Sequence, residues 1–83
     1  MTNYVAMRTI KIQDIAKRQG IELTTPQAKV LGTFDKRTEG SQCGDGRQIK
    51  AYERLESLGL TTRVPRERWT WRLTEAGKAI RFA

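Results

Sequence analysis

The chain has 83 residues, 37% of them hydrophobic and 30% charged, with a formal net charge of +7 and a pI of about 10.2. That length supports one domain with an adequate but not generous core, and the charge points to a polyanionic partner. Histidine is absent and Cys43 is the single cysteine, which excludes zinc-finger or ribbon sites and any disulfide within the chain.

Residues 1–9 carry Tyr4, Val5 and Met7 without a clear period and read as a flexible N-terminal arm or short extended segment. Ile12, Ile15, Ala16 and Gln19 then fall on one side of a helix, with Lys11, Lys17 and Arg18 off that side. Gly20 supplies a stop, so a first helix is expected over about residues 11–19. Thr24-Thr25-Pro26 is a helix start: Thr25 is the expected cap, and Pro26 fits a first turn where its missing N–H costs nothing. Val30, Leu31 and Phe34 continue an apolar stripe that Gln27 extends. Gly32 weakens this second helix by up to about 1 kcal/mol relative to alanine, unless it serves close packing.

Residues 38–46, Thr-Glu-Gly-Ser-Gln-Cys-Gly-Asp-Gly, hold three glycines and almost no apolar side chain, and read as a loop with at most one helical turn. Asp45 with Gln48 three residues later has the spacing of a capping box, so the next helix is expected from about Gly46 to Leu58. Ala51, Tyr52, Leu55 and Leu58 form its inner face with Ile49 at the margin, and Gly59 is the left-handed stop from which Leu60 tucks back. Beyond it Leu60, Thr62 and Val64 alternate, as do Trp69, Trp71 and Leu73, with Pro65-Arg66-Glu67-Arg68 turning the chain between. This period-2 pattern predicts two short strands with Trp69 and Trp71 on one face, both read as core closing onto Tyr52 and Leu55. Thr74 caps a last helix from Glu75 to about Phe82. The expected fold is mostly α with a small β-hairpin, in one domain.

Two stretches resemble winged helix-turn-helix DNA-binding domains, MarR-like regulators in particular. Leu23-Thr24-Thr25-Pro26-Gln27-Ala28-Lys29-Val30-Leu31 is similar to that family's opening Leu-Thr-x-x-Gln-x-x-Val-Leu helix. Arg54-Leu55-Glu56-Ser57-Leu58-Gly59-Leu60 resembles the end of its recognition helix, and Trp71 to Ala79 resembles its second wing strand and following helix. The resemblance implies three to four helices with a two-stranded wing, and a role in transcription regulation. The chain departs from the family between Asp35 and Gly46, where a full helix is replaced by glycine-rich sequence, and its wing is short. Thr9 to Ile21 also looks like the first half of a Lac-repressor-type helix-turn-helix. Pro26 stands where its second helix needs an apolar residue, so Ile12, Ile15 and Ala16 are kept as core.

The candidate contacts lie mostly in the basic half. Residues 47–83 hold nine Lys/Arg against four Asp/Glu, while residues 1–46 hold seven against five. At about 100° per residue Arg47, Lys50 and Arg54 fall within a stripe of roughly 60°, clear of the apolar face. Such a stripe offers donors to guanine or phosphate acceptors in a major groove. Ser57 extends it, and Gln48 either reaches a base edge or caps the helix. Arg63, Arg66, Arg68 and Arg72 crowd the hairpin, where guanidinium forks suit phosphates or a narrow minor groove. The alternative there is stacking of arginine stems on Trp69 and Trp71. Lys36 and Arg37 are further candidates for backbone phosphates. A solvated basic surface is the bland reading of all these positions, and Glu53 beside the stripe favours it.

The expected function is sequence-specific binding of double-stranded DNA, with homodimerisation through terminal segments around Tyr4, Val5, Met7, Ile80 and Phe82. One alternative is a protein-binding winged helix of the inhibitor or adaptor kind that mobile elements encode, meeting an acidic protein surface. Another is RNA or single-stranded DNA binding, favoured if Trp69 is exposed. With no histidine, no carboxylate pair in an evident cleft and no phosphate-cradling loop, neither enzyme activity nor a cofactor is expected. Without an apolar run near the roughly 20 residues of a spanning helix, or a signal-peptide pattern, a cytoplasmic location without membrane contact is expected.

Overall fold

The computed structural model describes residues 4–34, 41–42, 46–67 and 69–83, with the side chains of residues 4–6, 41, 42 and 47 outside that description. In chain order the elements are α1 (Tyr4–Arg18), α2 (Thr25–Gly32), β1 (Ser41–Gln42), a 3-10 turn (Gly46–Gln48), α3 (Ile49–Ser57), β2 (Thr61–Arg63), β3 (Thr70–Leu73) and α4 (Glu75–Arg81). This is a mostly helical fold with an antiparallel β2–β3 hairpin after α3, the arrangement of a small winged helix. None of its described helices is long and apolar enough to cross a membrane.

The helix ends follow local chemistry. The backbone N–H of Leu60 reaches the Leu55 carbonyl and that of Gly59 reaches Glu56, both at 3.0 Å, with Gly59 at φ +79°. α1 ends the same way through Gly20 and Ile21, which return to Lys17 and Ala16. A left-handed residue that reverses the chain and closes two orphan carbonyls is the physical content of both stops. Thr24, one residue before the expected cap, starts α2: its hydroxyl accepts from Gln27 N–H, and the Gln27 side chain accepts from Thr24 N–H. The reciprocal spacing to Gln27 selects Thr24 over its neighbour. Thr74 caps α4 as expected, accepting from Gly77 N–H and donating to the Gly59 carbonyl.

Three expectations need correction. The helix α1 starts at Tyr4, so residues 4–9 are not an extended arm. Met7 and Ile10 sit exposed on its solvent side, which blurs the apolar period and hides the helix from a pattern search. Second, the stretch read as a loop contributes β1, which pairs with β3 through Ser41 and Gln42 and makes the sheet three-stranded in the order β1-β3-β2. Two residues are too few to show a period. Third, Gly46–Gln48 form a 3-10 turn and α3 proper runs Ile49–Ser57, so the expected start near Gly46 is not α-helical. Asp45 lies outside the described residues, as does Cys43.

The core joins all four helices to the hairpin. Ile12 and Ala16 of α1 meet Ala28, Val30, Leu31 and then Phe34 of the α2 end. Tyr52 and Leu55 of α3 carry the core on to Leu60, Trp71 and Ile80. Aromatic rings form its spine: Phe34 meets Tyr52 edge-on at 6.3 Å, and Tyr52 stacks on Trp71 at 4.6 Å. Two glycines are there for space. A Cβ on Gly32 would press into the Arg8 side chain 2.8 Å away, and one on Gly77 would collide with the Leu60 backbone carbonyl. α4 therefore closes against the base of the wing, and α1 lies close along α2.

Candidate nucleic-acid interface

The helix α3 buries Tyr52 and Leu55 and turns Lys50, Glu53, Arg54 and Ser57 to solvent. Packing on the opposite side fixes that orientation, because Tyr52 is held between Phe34 and Trp71. Lys50 and Arg54 are exposed and carry no ion pair among the described residues. The Ser57 hydroxyl donates 2.8 Å to the Arg54 carbonyl, so only its lone pairs remain for a ligand. Gln48 is exposed at the start of the same helix and as its N-cap makes no side-chain capping bond, while the Asp45 partner of the expected capping box lies outside the described residues. Arg47 lies in the 3-10 turn, with its side chain outside the described residues; Lys36, Arg37 and Arg68 lie outside them altogether.

On one flank of α3 the neighbouring helices add positive charge. A cleft of about 440 Å³ is bordered by Lys17 of α1 and Arg54 of α3, with Glu22 as the single acid among its lining residues. A second, of about 260 Å³, is bordered by Lys29 of α2 and by Gln48 and Ala51. The sequence reading missed Lys17 and Lys29 as site residues. Both stand off the apolar stripes of their helices, a signal that marks them as exposed but not which neighbour they border. That depends on how α1 and α2 pack beside α3.

The other flank is different. Glu56 accepts a hydrogen bond from the Trp71 indole N–H at 2.9 Å, and the same carboxylate oxygen lies 3.7 Å from Arg63 Nε. The Arg63 guanidinium carbon sits 5.0 Å from the Trp71 ring centroid. An indole donor, a carboxylate and a guanidinium thus form one cluster between α3 and β2. Arg63 is partly exposed but engaged, so the stacking alternative describes it.

The hairpin arginines do not converge as expected. Thr62 pairs across from Arg72 and Arg63 from Trp71. Side chains alternate between faces along a strand, so Arg63 shares the α3-facing side with Trp71 while Arg72 lies on the opposite face. Arg66 is exposed in the connecting turn. Trp69 is also corrected: it adopts φ +57° before β3 begins and is 46% exposed, whereas Trp71 is fully buried. A left-handed residue breaks the alternation that would have put the two indoles on one face.

Among the expected dimer contacts of the termini, Met7 is exposed but Ile80 is fully buried in the core and so offers little surface. No group of three or more potential metal ligands occurs among the described residues. Comparison with protein-family models, curated proteins and solved structures finds no match.

Proposed function

We propose that this protein binds double-stranded DNA through the outer face of α3, as a small sequence-reading regulator of transcription. The observation that carries the reading is the exposed, unpaired Lys50 and Arg54 pair on a helix whose neighbours border it with Lys17 and Lys29. A helix of about 10–12 Å diameter fits a major groove about 12 Å wide. In that pose Arg54 and Lys50 offer N–H donors to guanine O6 and N7 or to phosphate, and Gln48 meets a base edge. Lys17 and Lys29 fall toward one phosphate strand. Glu53 and Glu56 repel the other, which tilts the helix toward its α2 flank, and Arg66 reaches backbone from the wing.

A salt titration tests this. Contacts from Lys17, Lys29, Lys50, Arg54 and Arg66 imply a log–log slope of duplex affinity against salt of about −4 to −5. A flat response between roughly 50 and 300 mM would sink the reading. Arg54→Ala should relax sequence preference, whereas Arg66→Ala should weaken all sequences alike.

A second reading rests on Trp69, which stands exposed three residues after the exposed Arg66 in the hairpin connection. An exposed indole is a stacking platform for single-stranded nucleic acid, RNA or DNA. Competition between duplex and single-stranded oligonucleotides of equal length separates the two readings.

A further inference from the structure

The helix α1 has two working flanks. Relative to the buried Ile12, Gln13 and Lys17 lie on one side at about 100° per residue, while Arg8, Lys11 and Ile15 lie on the other. The first flank borders the cleft beside Arg54. The second opens on a separate groove of about 500 Å³ between α1 and α4. Its walls are Met7, Ile12, Ile15 and Ile80, and among the described residues its charged lining, Arg8, Lys11 and Arg81, is all cationic. Met7 stands 59% exposed at the edge.

From this arrangement we propose that the α1–α4 groove docks an amphipathic acidic segment of a partner protein. Apolar side chains of the segment enter between Met7, Ile15 and Ile80 while its carboxylates meet Lys11 and Arg8; Arg81, whose Nε donates to the Phe34 carbonyl and whose guanidinium lies over Phe82, adds positive charge at the wall. Charge complementarity selects this occupant. A second copy related by two-fold symmetry would bring the same cations against each other, since a residue in such an interface meets its own patch. A lipid surface suits a convex apolar face, whereas here Ile12 and Ile80 are recessed, 2% and 0% exposed. Arg8 adds a partly buried cation: its Nε packs against Gly32 of α2 and has no hydrogen-bond partner among the described residues. A carboxylate at the groove mouth would pair with a cation already partly desolvated, where the attraction exceeds that at an open surface. The groove lies off the α3 face, so a DNA duplex and the acidic segment can be held together.

The test uses the full chain and a synthetic helix-forming peptide with Leu and Phe at helical spacing flanked by Glu, against a control with every Glu replaced by Lys. Fluorescence anisotropy should show the Glu peptide binding at least about tenfold more tightly than the Lys control. Lys11→Glu and Met7→Glu, both at exposed positions, should each weaken the Glu peptide by about tenfold with an unchanged circular-dichroism spectrum. Duplex affinity of Met7→Glu should stay within about threefold of the parent, which separates this proposal from the DNA reading. Equal binding of the two peptides, or indifference to both substitutions, overturns it. So does a Met7-dependent dimer in sedimentation at micromolar protein, or displacement of the Glu peptide by vesicles of anionic phospholipid.

Discussion

Arg54 and Arg63 are both exposed arginines of the basic half, one on α3 and one on the strand after it, yet they are in different chemical states. Arg54 opens into the cleft it shares with Lys17, with no carboxylate bound to it among the described residues. Arg63 lies over Trp71 and 3.7 Å from Glu56, which is itself held by the Trp71 indole. The difference shows that a binding face is defined by which cations remain unspent after folding, not by where basic residues are dense in the sequence. The densest run, in the hairpin, is split by strand alternation and partly consumed by packing. The sparser set on α1, α2 and α3 is left available.

The contrast can be broken most forcefully by reversing charge on the free side. Lys50→Glu with Arg54→Glu should lower duplex affinity by at least about a hundredfold at 100 mM salt. The melting temperature should hardly move, because both side chains are exposed. Anisotropy and a thermal melt report the two quantities, and comparable losses in both would show that these residues are structural. On the occupied side the pattern should invert. Glu56→Ala removes the acceptor of a buried indole and should cost about 1–2 kcal/mol of stability by denaturant titration, while duplex affinity holds or rises slightly. The smallest expected effect is that of Arg63→Ala, about 0.5–1 kcal/mol in stability from the exposed cation–π contact. Its effect on duplex affinity should stay under about threefold; a loss as large as that of Arg54→Ala would erase the distinction between the flanks.

Much of the fold was legible because it is written in short-range chemistry. Gly59 with Leu60, Thr74 before Glu75, and the Tyr52–Leu55 inner face each depend on residues within a turn or two of one another. The start of α2 was legible to within a residue, but its cap is Thr24 and not the expected Thr25, because only Thr24 has Gln27 three residues on. The start of α1 was not, because Met7 and Ile10 put apolar side chains on the solvent side of the helix. β1 was illegible for a different reason: two residues become a strand only because the edge of β3 presents unpaired backbone groups to them.

The candidate site divides along the same line. Periodicity alone assigned Lys50 and Arg54 to the outer face of α3, since a helix that buries Tyr52 and Leu55 must expose what lies opposite. Periodicity also suggested that Trp69 and Trp71 are equivalent, and a single left-handed backbone at Trp69 makes one a surface group and the other the centre of the core.

By itself, then, the order of residues determined the helix after the glycine-rich stretch, its stop, the hairpin and the excess of positive charge. All of these follow from backbone preferences and side-chain periods that need no distant partner. Only the tertiary structure decided which cations are left for a ligand. Lys17 and Lys29 come to border α3, and Glu56 captures Arg63, through contacts between elements far apart in sequence. Pairing of charges depends on distance in space, which no local pattern encodes.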